Sequence, residues 1–124
     1  IYPTLIEAAG IHETGNYKLD GESFLHFLRH PGSASPPRNL YWHFPGYTSI
    51  GIEKGPQSVI RSGDWKLFHF YEDNRTELYD LKRDPNEFVN LTKSEPLMKK
   101  HLLSQLNDWL DLVNAPMPQE KNQF

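Results

Sequence analysis

The stretch at residues 59–81, VIRSGDWKLFHFYEDNRTELYDL, leaves this chain few folds to choose from. Ser62-Gly63-Asp64 reads as a reversal, because a glycine flanked by small polar residues supplies the positive φ of a tight turn. Residues 65–71, WKLFHFY, are rich in aromatics, which suit a pleated and half-buried surface. Glu72-Asp73-Asn74-Arg75 is too polar to bury and makes the second reversal. Connections this short close hairpins, whereas a parallel crossover takes roughly a dozen residues or more. The stretch therefore specifies an antiparallel meander.

Upstream, NLYWHF at 39–44 adds a strand that Pro45-Gly46 ends. Four antiparallel strands are expected, at 39–44, 57–61, 65–71 and 76–81. The connection at 47–56 is glycine-containing and longer than usual, which makes it a candidate functional loop. Downstream, Met98, Leu102, Leu106, Trp109, Leu110 and Val113 recur at helical spacing, with Lys99, Lys100, Asn107 and Asp111 on the other face. A helix over about 95–113 is marginal alone in water, so it needs the apolar face of the sheet and the sheet needs it. Ala115-Pro116-Met117-Pro118 stops it and leaves an extended tail. Between sheet and helix, Asp84-Pro85-Asn86-Glu87 fits a helix start: Asp84 at the N-cap, Pro85 at N1, Glu87 reaching back. Phe88 and Leu91 would pin that turn to the sheet.

The first 36 residues are of another kind. Residues 1–9 make a short amphipathic helix with Pro3 in its first turn, Leu5, Ile6 and Ala9 on one face, and Gly10 beyond its end. Residues 21–28 form a second short helix or turn with Phe24, Phe27 and Leu28 inward. Pro31-Gly32-Ser33-Ala34-Ser35-Pro36-Pro37 is a linker, and the main boundary falls there, giving parts 1–36 and 37–124. The fold class is α+β: a four-stranded antiparallel sheet packed against one long C-terminal helix, preceded by short helices.

Composition removes several classes of function. The formal charge of −3 gives no basic field, which argues against a nucleic-acid partner. No apolar run is long enough to span a bilayer. With no cysteine there is no disulfide, thiolate nucleophile or zinc–cysteine site, and the compartment stays open. The chain starts at Ile1, inside a helical pattern and without Met, as a piece of a longer chain would.

Taken in order, these segments resemble the C-terminal part of a type I sulfatase, in the arylsulfatase branch of the alkaline phosphatase superfamily. The resemblance lies in Ile1-Tyr2-Pro3-Thr4-Leu5 with Ala9-Gly10-Ile11, in Leu19-Asp20-Gly21-Glu22-Ser23, and in Leu40-Tyr41-Trp42-His43-Phe44-Pro45. It continues through Val59–Leu67 and through Glu77-Leu78-Tyr79-Asp80-Leu81 with Asp84-Pro85, Glu87 and Asn90-Leu91. It implies that 1–36 end a large α/β catalytic domain and that 37–124 are the small C-terminal subdomain. It also implies an enzyme that hydrolyses sulfate esters, of sulfated carbohydrate or of an aryl sulfate. In that family a Cys or Ser in a Cys/Ser-x-Pro-x-Arg motif becomes formylglycine, and calcium helps to hold the sulfate. A sulfate ester is already anionic, so such a site must supply fixed positive charge and an in-line nucleophile.

None of that machinery is carried over to these residues. Ser35-Pro36-Pro37-Arg38 places its arginine one residue early and in a linker. Asp73-Asn74, Asp80 and Asp84 read as turn and cap residues rather than calcium ligands. The expectation is a segment with no catalytic residue and no metal of its own, completed by the missing catalytic domain, which would carry calcium. What the resemblance leaves to this segment is part of the substrate mouth, with His43 and Tyr47 as candidates. His43 ends a strand beside a long loop, where its imidazole suits a sugar hydroxyl or a sulfate. Tyr47 offers a ring to stack on a sugar and a hydroxyl to bond. The competing reading of Tyr41–Phe44 is plain packing, with Tyr41 and His43 on one face and Trp42 and Phe44 on the other.

Other residues carry less. His26 and His30 stand one turn apart but without a third ligand nearby. His69 between two phenylalanines reads as sheet packing, Arg61 and Lys66 as solvated strand residues, and Trp109 as helix core. Asn74-Arg75-Thr76 and Asn90-Leu91-Thr92 match the glycosylation sequon, a pattern short enough to arise by chance. Export to the periplasm or beyond is implied only by analogy with the family. The alternative function is a non-catalytic carbohydrate-binding or interaction module that uses the aromatic strand 41–44.

Overall fold

The computed structural model describes residues 1–11, 19, 21–34, 37–47 and 55–119. They form two compact units, Ile1–Pro36 and Pro37–Phe124. The expected loop at 12–20, the body of the 47–56 loop, residues Ser35 and Pro36 and the last five residues lie largely outside the described set.

The first unit holds two short helices, α1 (Tyr2–Ala8) and α2 (Leu25–Arg29). Pro3 lies in the first turn of α1, and Gly10 just past its end takes φ +67°, a left-handed value that costs a residue without Cβ nothing. The expected apolar faces are not the buried ones. Leu5 is 62% exposed and Leu28 61%, Phe24 also faces solvent, and Thr4 and Leu25 are the buried residues. Helices of two turns or fewer cannot present a continuous stripe. A polar bond takes its place: Thr4 Oγ1 accepts the backbone N–H of Phe24 at 3.1 Å.

The second unit is the expected meander. Its strands are β1 (Asn39–Phe44), β2 (Gln57–Ser62), β3 (Trp65–Phe70) and β4 (Arg75–Asp80), all antiparallel in the order β1-β2-β3-β4. Gly63 turns the first hairpin at φ +58°, and Asn74, a residue that tolerates the left-handed region, closes the second at φ +54°. Register places Tyr41, Ile60, Leu67 and Leu78 in one row across all four strands. α3 (Pro96–Leu112) lays Leu102, Leu106 and Leu110 over that row, and the six aliphatic residues Ile60, Leu67, Leu78, Leu102, Leu106 and Leu110 form the core. Tyr41 stacks on Trp109 with ring centres 4.7 Å apart and planes 3° from parallel.

α3 matches the expected helix to within a residue at each end, and it stops before the prolines are reached. Asn114 adopts φ +49°, its N–H bonds to the carbonyl of Asp111, and Ala115 N–H bonds to that of Leu110. This is a Schellman ending, with asparagine in the place glycine usually takes. Val113, expected on the buried face, is the C-cap and 48% exposed.

The segment after β4 departs from expectation. No helical turn forms at 84–88: Glu87 takes φ +59°, and Asp84 Oδ2 accepts the N–H of Val89 at 2.8 Å. Glu87 does not reach back to the cap. Its carboxylate meets Lys66 Nζ at 2.6 Å, a long-range ion pair that outcompetes the local capping bond. Phe88 does not pin the segment to the sheet and is 82% exposed. Leu91 does pack on the core, and its N–H bonds to the carbonyl of Leu78. Asn90 Oδ1 accepts the N–H of Leu78 and both donors of Thr92. The backbone of the outer strand is thereby met by its own chain at Leu78, which blunts a sheet edge. No helix among the described residues is long and apolar enough to cross a membrane.

Candidate functional site

The end of β1 leads into the long connection, and two small networks of side chains fix what surrounds it. The first is built on register. His43 lies opposite Ser58, which lies opposite His69, all on the face that carries α3. Ser58 is fully buried, so its hydroxyl needs partners. It has two: His43 Nδ1 at 2.7 Å and the Tyr71 hydroxyl at 2.7 Å. The other ring nitrogen, His43 Nε2, is 2.7 Å from the backbone oxygen of Pro116. A carbonyl only accepts, so Nε2 carries the hydrogen and Nδ1 takes one from Ser58, which in turn accepts from Tyr71. Burial pushes the Tyr71 phenol above its usual value. The relay Tyr71–Ser58–His43–Pro116 ties three parts of the sheet to the tail that follows α3.

The second network sits at the base of the loop. Tyr47 is 39% exposed. Its phenol is raised by desolvation first and then by the carboxylate of Glu72, to which its hydroxyl bonds. A Cβ on Gly55 would stand 2.8 Å from the Glu72 carboxyl carbon, so glycine is what lets that side chain lie flush against the backbone. Tyr71 N–H bonds to the carbonyl of Pro56 at 3.0 Å. Glu72 thus meets the chain on both sides of the 48–54 stretch.

Of the two candidates, His43 has both ring nitrogens engaged within the unit, and a sugar hydroxyl would reach Nε2 only with the tail displaced. Tyr41 and His43 share one face of β1 and Trp42 and Phe44 the other, as alternation requires. Sequence reasoning missed Ser58, Tyr71 and Glu72. Ser58 faces His43 only through the β1–β2 register, which the long connection between those strands leaves open in the sequence. Glu72 gave no signal either, because its partners Tyr47 and Gly55 lie at a loop base.

Arg61 is exposed and bonds through Nε to the Gly63 carbonyl, while Lys66 pairs with Glu87 and lies 4.6 Å from the centre of the Phe68 ring. His69 Nε2 bonds Asn74 Oδ1 at 2.8 Å. The rings of His26 and His30 are 4.9 Å apart. Among the described residues no three His, Asp or Glu side chains converge as a metal site needs.

Comparison with known proteins gives these features a context. The family model described as N-sulphoglucosamine sulphohydrolase, C-terminal, matches residues 1–115. A sulfatase of Formosa agariphila is 38% identical over 93% of the chain, and an N-acetylglucosamine-6-O-sulfatase of Bacteroides thetaiotaomicron is 33% identical over 84%. The chain spans 23% and 19% of those proteins. The solved structure of BT4656, in complex with its substrate D-glucosamine-2-N,6-O-disulfate, superposes with a TM-score of 0.72 at 28% identity. That match covers 97% of this chain and 25% of that one.

Proposed function

This chain belongs to the N-sulphoglucosamine sulphohydrolase C-terminal family, and from that premise we propose that it is the C-terminal part of an enzyme that hydrolyses sulfate esters of sugars. The observation that carries the reading is the likeness, over nearly the whole chain, to BT4656 in complex with a sulfated glucosamine. The helix-backed sheet is then a scaffold, and the loop that leaves β1 is part of the substrate mouth. The formylglycine nucleophile and the calcium belong to the remainder of the polypeptide, of which residues 1–36 form the final piece. An exported location, periplasmic or extracellular, fits an enzyme that works on glycans.

Within this segment Tyr47 contacts the sugar, ring against ring with its hydroxyl held by Glu72, and His43 holds the strand end from which the loop departs. The His43 side chain meets substrate through Nε2 only by exchanging the Pro116 carbonyl for a sugar hydroxyl. The test uses the full-length protein and D-glucosamine-2-N,6-O-disulfate, with released sulfate measured by ion chromatography. Tyr47→Ala is expected to raise KM by roughly tenfold, the loss of one stacking contact of about 1 kcal/mol or slightly more. An unchanged kcat/KM removes Tyr47 from the mouth, and no sulfate release from any sulfated sugar overturns the reading as a whole.

A further inference from the structure

Gln105, Asp108, Trp109 and Leu112 fall at i, i+3, i+4 and i+7 of α3, which puts them on one face of the helix. That face lies beside the Leu102, Leu106 and Leu110 stripe that fills the core, and it meets β1, the outer strand of the sheet. Trp109 stacks on Tyr41, while Asn39 Nδ2 donates to Gln105 Oε1 and to the Tyr41 hydroxyl, each at 3.2 Å. A shallow cleft of about 380 Å³ is left there, lined by Tyr41, Gln105, Asp108, Trp109 and Leu112. Clefts of roughly 300–1,000 Å³ are the usual size for a small ligand. The Gln105 oxygen is committed to Asn39, which turns the amide nitrogen away from it. Neither that nitrogen nor the Asp108 carboxylate has a partner among the described residues. Leu112 is 71% exposed. A fixed aromatic wall, an exposed leucine, an open amide donor and an open carboxylate acceptor therefore line one cleft.

We propose that this cleft binds a sugar ring that carries no sulfate, with an amino sugar such as glucosamine as its best fit. A pyranose is itself two-sided, with C–H groups on its faces and hydroxyls around its rim. The C–H face suits Tyr41, Trp109 and Leu112, and the rim suits the Gln105 donor and the Asp108 acceptor. Asp108 is the only charge among the five lining residues, so it sets the choice. It repels a sulfate and attracts an ammonium group, and selectivity is built by repulsion as much as by attraction. The preference is the reverse of that of a sulfatase mouth, which must hold an anion. Choosing a sugar over another amphipathic ligand rests on the reading of the chain as part of a sugar sulfatase. The cleft then takes unsulfated rings of a partly processed glycan.

Hydroxyl-radical footprinting with mass spectrometry reads the site in the full-length protein, with an unsulfated glucosamine oligosaccharide and its 6-O-sulfated counterpart as probes. The unsulfated probe is expected to cut oxidation of Leu112 and Trp109 several-fold, while Leu97, 82% exposed at the other end of α3, stays reactive. The sulfated probe is expected to need about tenfold more for the same protection. Asp108→Ala, at an exposed position, is expected to raise the half-protecting concentration of the unsulfated probe about tenfold, the loss of one charge-assisted contact, and to narrow the gap between the probes. No protection of Leu112 by the unsulfated probe overturns the proposal. So does equal protection by both probes, or protection that Asp108→Ala leaves unchanged. Sulfate release from D-glucosamine-2-N,6-O-disulfate is measured on the same preparations. Release with Leu112 unprotected sinks the cleft and spares the enzymatic reading. Protection in a protein that releases no sulfate does the reverse.

Discussion

Replacing His43 by alanine tests the relay that fastens the tail to the sheet. The change removes two hydrogen bonds, to Ser58 and to Pro116. Each is worth about 1 kcal/mol net, so the expected loss is about 2 kcal/mol. It does not rise further, because buried Ser58 keeps Tyr71 as a partner and exposed Pro116 recovers water. The edge-on contact of the imidazole with Tyr71, centres 6.1 Å apart, is lost as well and places the value at the upper side of that estimate. Urea unfolding followed by the fluorescence of Trp109, stacked on Tyr41, reads the loss. With an m-value of about 1.3 kcal/mol/M, the midpoint falls by about 1.5 M. Limited proteolysis adds a second readout, since the tail after α3 becomes cleavable before the core unfolds. His43→Gln, whose amide keeps a donor near the Nε2 position, recovers part of the midpoint. A shift under about 0.3 M, with the tail equally resistant to protease, would refute the reasoning, because it would mean that Pro116 and Ser58 are indifferent to the imidazole.

Three further changes probe the rest of the unit. Leu106→Ala, at a residue with no exposed surface in the middle of the core, is expected to cost about 3–5 kcal/mol by chemical unfolding, transfer plus cavity; a cost near zero would mean α3 is not the second layer. Gly63→Ala meets no atom within 4 Å, so only its φ of +58° resists, and calorimetry should read a loss of about 1 kcal/mol from backbone strain alone. Tyr79 is raised to about 12, by desolvation first and then by the bond its hydroxyl donates to Glu77. A phenol whose folded value exceeds its unfolded one contributes stability fully present below pH about 10 and lost as pH rises toward 12. Absorbance at alkaline pH should show Tyr79 ionising after an unperturbed tyrosine, with unfolding midpoints falling across that window, and Tyr79→Phe should abolish this component.

The meander was legible because its signals are local and agree with one another. Gly63 and Asn74 mark the reversals, aromatic and β-branched residues fill the strands, and each strand end lies within one residue of its expected place. The i, i+4 leucines of α3 were legible for the same reason, and with them the core they form against Ile60, Leu67 and Leu78. Local rules failed where a distant partner competed. Asp84-Pro85-Asn86-Glu87 has every mark of a helix start, but Lys66 on β3 captures the glutamate. In the first unit, seven- and five-residue helices have too little length for a hydrophobic stripe to declare what it faces. The sequence resemblance to sulfatases was borne out by the family match over residues 1–115. The relay through Ser58 and the Glu72 contacts at the loop base needed coordinates, since they join residues that only register and loop closure bring together.

The account holds that these 124 residues carry a scaffold and part of a mouth but none of the reacting groups. The direct test measures sulfate released from D-glucosamine-2-N,6-O-disulfate by the full-length protein and, side by side, by the 124-residue chain verified as folded by circular dichroism. The account predicts release by the first and none by the second. Release by the folded 124-residue chain alone would contradict it.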